Sequence, residues 1–145
     1  MIERLQADLK DAMKKGDTIA VSTLRMLMSQ MQYAKIQAGH PLTEAESIAV
    51  FERAVKTRRE AIEQYEKGNR PELAQKERDE IVVVTRYLPQ AMTPEETAAA
   101  VDALIAELQA KDKKDLGRVM KEFQARHRGR AEGKTVSALI ASRLS

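Results

Sequence analysis

The stretch ERDEIVVVTRYLPQAMTPEE, residues 77–96, decides how the whole chain is read. Ile81-Val82-Val83-Val84 is a β-branched run with strand propensity. Read as a strand, it would demand a sheet. It lies inside a charged pattern in which Leu73, Ile81, Val84, Tyr87 and Leu88 fit one helix, and no second run offers it a strand partner. Local propensity is a weak prior that context overrides, so the run is expected to be helical. Pro89 then breaks the helix. Thr93-Pro94-Glu95-Glu96 starts another, with an N-cap threonine, a proline at the first position and a glutamate three residues after the cap.

Working outward, the same punctuation recurs. Upstream, Ile2, Leu5, Leu9, Ala12 and Met13 fall at helical spacing, Gly16 stops that helix, and Asp17 caps the next. The second helix carries Val21, Leu24, Leu27, Met28, Met31 and Ile36 to Ala38-Gly39. After His40-Pro41, Thr43 and Glu46 form a capping box for a third helix bearing Ile48, Phe51, Val55, Ile62 and Tyr65, which Gly68 ends. Pro71 opens the fourth. Downstream, Val101, Leu104, Ile105 and Leu108 mark a fifth helix. Leu116, Val119, Met120 and Phe123 mark a sixth, and Val136, Leu139, Ile140 and Leu144 a seventh. The expected fold is all-α: an N-terminal bundle of long helices, residues 1–92, followed by a small C-terminal three-helix domain, residues 93–145.

Composition agrees. Of 145 residues, 32% are charged and 3% aromatic, and Ala, Leu, Glu, Lys, Arg and Met dominate, the signature of a helical protein. The chain has no Cys, which excludes disulfides, thiolate catalysis and cysteine zinc sites. The N-terminus MIERLQADLK is charged from residue 3 and lacks a signal-peptide core, and no apolar run is long enough to cross a membrane. A soluble, cytoplasmic protein is expected.

Net charge is only +3, but it is unevenly spread. Residues 1–92 hold 15 basic and 14 acidic groups. Residues 93–110 hold four acids and no base, and residues 111–134 hold nine bases and four acids. Glu52, Glu60, Glu63, Glu66, Glu72, Glu77 and Glu80 interleave with Lys56, Arg59, Lys67 and Lys76, which reads as a solvated face. The pairs Glu52/Lys56, Glu63/Lys67 and Glu72/Lys76 are spaced for ion pairs along it, worth about 0.2–0.5 kcal/mol each.

Few residues suggest chemistry. GRAEGKT, residues 129–135, resembles a phosphate-binding loop but has three residues between its glycines where that loop needs four, and no buried strand leads into it. Gly129 and Gly133 are better explained as the end of one helix and the turn into the next. His40 and His127 stand alone and read as surface residues. No serine lies in a nucleophile elbow, so no catalytic residue, metal or cofactor is assigned. The basic run is the one feature with functional content. Lys111, Lys113, Lys114, Arg118, Lys121, Arg126, Arg128, Arg130 and Lys134 lie on two helix ends and the turn between them. Cations near helix N-termini suit phosphates, though a charge run also serves as a mere solvated surface. Phe123 reads as core, so a platform for stacking bases is missing, which favours backbone or shape contacts.

KTRREAIEQYEKGNRPELAQKERDE, RYLPQAMTPEE, LGRVMKE and GRAEGKTVSALI, in this order and at these separations, resemble the YqeY family of small bacterial proteins over nearly the whole chain. From Thr93 onward the chain also resembles the C-terminal tail of the B subunit of the tRNA-dependent amidotransferase. That tail pattern maps onto Gly117 to Met120 and onto Gly129-Arg130-Ala131-Glu132-Gly133-Lys134. The family more often has Asp at Glu132, Lys at Arg118, and a small residue with a proline around Glu122 to Ala125, a departure that bears on where the sixth helix ends. The resemblance implies an all-helical protein whose tail domain engages tRNA. Related domains fused to some glutaminyl-tRNA synthetases assist tRNA recognition.

Three expectations follow. The first is a non-catalytic tRNA-binding accessory protein, contacting phosphates through Lys114, Arg118, Lys121, Arg128, Arg130 and Lys134. The second is a module that docks to an aminoacyl-tRNA synthetase or to amidotransferase subunits. The third, less supported by the residues, is the carbon–nitrogen ligase activity with glutamine as amido donor that the family name invites.

Overall fold

A computed structural model describes residues 1–144; Ser145, the last residue of the expected C-terminal domain, lies outside them. The protein is all-α, with seven helices and no strand among the described residues. Four belong to a first compact unit, Met1–Leu88, and three to a second, Pro89–Ser145.

In the first unit α1 (Ile2–Lys15) ends at Gly16, whose φ of 71° is the left-handed conformation that glycine adopts at little cost. Asp17 caps α2 (Thr18–Ala38) by accepting the Ala20 N–H at 3.1 Å. A complete capping box starts α3 (Glu44–Lys67): Thr43 Oγ1 accepts the Glu46 N–H at 3.2 Å, and Glu46 Oε1 accepts the Thr43 N–H at 3.0 Å. Pro71 occupies the first turn of α4 (Pro71–Thr85). The run at 81–84 is helical, and burial explains why. Val83 and Val84 are buried with Glu80 and Tyr87, three to four residues apart, while Val82 is 57% exposed. A strand would have buried alternate residues.

Leu5, Leu24, Leu27, Met31, Phe51, Val55, Val83, Val84 and Tyr87 form this unit's core. Phe51 and Tyr87 stack with ring centroids 5.6 Å apart. The Tyr87 hydroxyl donates to Asp8, and the Arg4 guanidinium lies 4.7 Å over the same ring. Burial and the Asp8 carboxylate push the Tyr87 hydroxyl above its ordinary pKa.

The interleaved charges of α3 and α4 depart from the expected solvated face. Arg58 and Glu80 are buried, at 4% and 6% exposure. Arg58 Nε donates to Glu80 Oε1 at 3.4 Å, its Nη1 to the Ala54 carbonyl at 3.0 Å, and its Nη2 lies 2.9 Å from Met26 Sδ of α2. Arg78 pairs with Glu66 across the same two helices. Glu63/Lys67 and Glu72/Lys76 close no ion pair. Their small expected gain does not offset holding two long exposed side chains in one geometry.

In the second unit another capping box, Thr93 with Glu96, and Pro94 begin α5 (Pro94–Leu108). Gln109 ends it with a φ of 54°. A 3₁₀ turn (Lys113–Asp115) leads into α6 (Leu116–His127), and α7 (Gly133–Arg143) follows. Val101, Leu104, Val119, Phe123, Val136, Ile140 and Leu144 form the core, with Leu144 one residue past the end of α7. The short segment from Pro89 to Met92 goes with this unit. The Met92 N–H donates to the Arg130 carbonyl at 2.8 Å, and Met92 packs on the second core.

Candidate nucleic-acid interface

The basic run is built on the 3₁₀ turn, α6 and the turn into α7. Helix α6 is amphipathic: Val119 and Phe123 face the core, while Arg118 and Lys121 lie on its exposed side. Its 12 residues extend about 18 Å. It runs on through Glu122 to Ala125, where the family pattern has a proline, and stops at His127. Gly129, with a φ of 78°, reverses the chain. Gly133 is the first residue of α7, and a Cβ there would meet only Gln124 Nε2, at 3.8 Å, an ordinary contact.

The cations divide by type. The arginines each have partners within the protein. Arg126 makes two 2.8 Å bonds to the Glu107 carboxylate and one of 2.9 Å to Glu122, and this holds the Glu107 carboxyl below its usual range. Arg118 Nη2 donates to Asp115 at 3.2 Å. Arg130 Nε donates to the Gln90 carbonyl at 3.0 Å, and its Nη2 lies 3.9 Å from Glu96. Arg128 is half-buried and also engaged. Arg143 is paired with Asp102 at 2.7 Å. The lysines differ: Lys111, Lys113, Lys114, Lys121 and Lys134 are exposed and, among the described residues, close no ion pair.

The six residues singled out from sequence therefore separate. Lys114, Lys121 and Lys134 carry unpartnered charge. Arg118 is exposed but shared with Asp115. Arg128 and Arg130 belong to the turn, and Arg130 ties the incoming Gln90–Met92 segment to it. Sequence spacing could not show this, because Gln90 lies 40 residues away.

The helix N-termini are less open to an anion than their position suggests. Asp112 accepts the Lys114 N–H at 2.9 Å, and Asp115 accepts the Lys111 N–H at 3.0 Å. The latter bond leads the causes that lower the Asp115 carboxyl. Glu132 stands at the N-cap of α7. Asp112 thus caps the 3₁₀ turn, while Asp115 and Glu132, at the N-caps of α6 and α7, place negative charge beside those ends without a side-chain cap bond.

His127 also differs from the surface residue expected. It is partly buried, its Nδ1 is buried without a hydrogen-bond partner, and its ring lies 5.0 Å from that of Phe123. Burial, then Arg130 and Arg126, hold its pKa below the ordinary value. His40 is exposed, with Nδ1 2.8 Å from the Pro41 carbonyl.

No helix of the described residues is long and apolar enough to cross a membrane, and no group of His, Cys, Asp and Glu among them could hold a metal ion. Compared with known proteins, residues 2–144 match the family model described as Yqey-like protein. An uncharacterized protein of Schizosaccharomyces pombe is 31% identical over 86 residues, 59% of this chain and 70% of that protein. Altered inheritance of mitochondria protein 41, mitochondrial, of Lachancea thermotolerans is 32% identical over 108 residues. That match takes in 74% of this chain and spans 57% of the relative's length. The protein of the same name from Pyrenophora tritici-repentis is 27% identical over 134 residues, 90% of this chain and 73% of that protein.

Proposed function

The chain belongs to the YqeY-like protein family, and from that premise we propose that it is a non-catalytic tRNA-binding accessory protein. Its work lies with tRNA-dependent amidotransfer or aminoacyl-tRNA formation. The observation that carries the reading is the set of exposed lysines without internal partners on and beside α6, within a domain that resembles the tRNA-engaging tail of the amidotransferase B subunit. Lysine is a point charge on a flexible stem. A row of them suits the phosphate backbone and carries no sequence information by itself. Lys114, Lys121 and Lys134 make the principal contacts and Arg118 a shared one. Arg130 braces the turn that sets their spacing, and Arg128 stands beside it at the end of α6. A synthetase or amidotransferase subunit is the protein partner the resemblance suggests, and the cytoplasm is the compartment.

The test is binding of the full chain to bulk tRNA at low salt. A Lys114→Glu, Lys121→Glu, Lys134→Glu variant, altered only at exposed positions, is expected to keep its helical content and melting temperature and to bind at least about tenfold more weakly. Unchanged affinity in the folded triple variant would overturn the reading.

A further inference from the structure

The first unit carries a surface that neither its core nor the tRNA reading uses. The core-facing residues of α2, from Ala20 to Met31, stop two turns before the helix ends. The remaining residues, 32–38, extend about 10 Å past them. On the outer face of this helix Tyr33 is 66% exposed and Ile36 73%, one turn apart, while Met26, two turns before Tyr33, is half-exposed but sets its sulfur against Arg58. Scattered apolar residues need no explanation, but an adjoining pair this exposed, past the end of the core, marks a candidate contact. The face also has a sign. No Asp or Glu occurs between Asp17 and Glu44, while Arg25 lies on the same side of α2 and Lys35 stands at its end, where it also faces Glu3 of α1.

We propose that the Tyr33–Ile36 face of α2 docks an acidic amphipathic helix of another protein, its apolar stripe on Tyr33 and Ile36 and its carboxylates toward Arg25 and Lys35. A second copy of this chain is the poorer occupant, because it would set these cations against their own kind. Nucleic acid is poorer too. Two cations over the 21 residues of α2 are sparse beside the nine in residues 111–134.

The probe is a synthetic helical peptide with leucines at positions i, i+3, i+4 and i+7 and glutamates elsewhere, titrated into the isotope-labelled full chain. The expected result is saturable binding that shifts the amides of residues 26–38. Replacing the peptide's glutamates by lysines should weaken it at least tenfold, as should Tyr33→Asp with Ile36→Asp in the chain. Arg25→Glu, a single change at an exposed position, should weaken the acidic peptide several-fold and serves if the double variant does not fold. Bulk tRNA should not displace the peptide. The proposal fails if the peptide does not bind at millimolar concentration, if both peptides bind equally, or if the shifts fall on α6 and α7. Displacement by tRNA, or self-association lost in the double variant, would assign the face to those occupants instead.

Discussion

Arg58 is a guanidinium enclosed by three helices, and its charge is tolerable there only because Glu80, the Ala54 carbonyl and Met26 surround it. Removing one partner of such a pair strands the other charge in a medium that solvates it poorly. Arg58→Met is therefore expected to cost about 3–5 kcal/mol, read from the urea unfolding midpoint, whereas Arg58→Met with Glu80→Leu should return to within about 1 kcal/mol of the parent or exceed it. A cost below about 1 kcal/mol for the single change would show the pair to be solvated. This pair was not legible in the sequence. Arg58 and Glu80 are 22 residues apart, among many charges of the same spacing and type, and only the packing of α4 on α3 selects them. The engagement of Arg130 with Gln90 was hidden for the same reason. What residue spacing did disclose was the local chemistry of Thr43 with Glu46 and of Thr93 with Glu96, where both partners of each capping box sit within one turn.

At the scale of elements, proline and glycine positions made most helix boundaries readable, because each acts on its own backbone. The 81–84 run was readable only through its neighbours: valine prefers strands, but Glu80, Val83, Val84 and Tyr87 share the face that packs into the core. Ile36 misled in the opposite sense. Read with the apolar positions of α2, it lies past the point where the core ends and on the helix's outer face. The α6–α7 turn adds a dependence on pH. A helix C-terminus favours a charged histidine, yet burial and two guanidinium groups hold His127 below its ordinary value of 6.5. The unfolded chain thus binds the proton first. The stability His127 lends is present above about pH 6.5 and is lost as pH falls toward its lower folded value. Hydrogen exchange of α6 and α7 amides should show weaker protection at pH 5.5 than at 7.5, after correction for intrinsic rates. Carboxylates with depressed values titrate well below this window. His127→Phe should remove the difference, and its persistence in that variant would place the cause elsewhere.

Across the whole molecule, charge is sorted by unit. Between Pro94 and Leu108 the chain is purely acidic, and those acids are largely consumed within the second unit by Arg126, Arg130 and Arg143. Apart from Glu95, the charges left without a partner on that unit's described surface are lysines. The sequence disclosed the basic excess near residues 111–134 but not which charges stay available, because that depends on pairing between α5, α6 and α7. Binding through those lysines must release counterions. The most direct measurement is the affinity of the full chain for bulk tRNA over a series of salt concentrations. Four to six phosphate contacts predict that log K falls against log salt with a slope of roughly −3 to −5. Absence of binding at low salt, or an affinity indifferent to salt, would contradict a backbone-binding role and reduce the lysine row to a solvated surface.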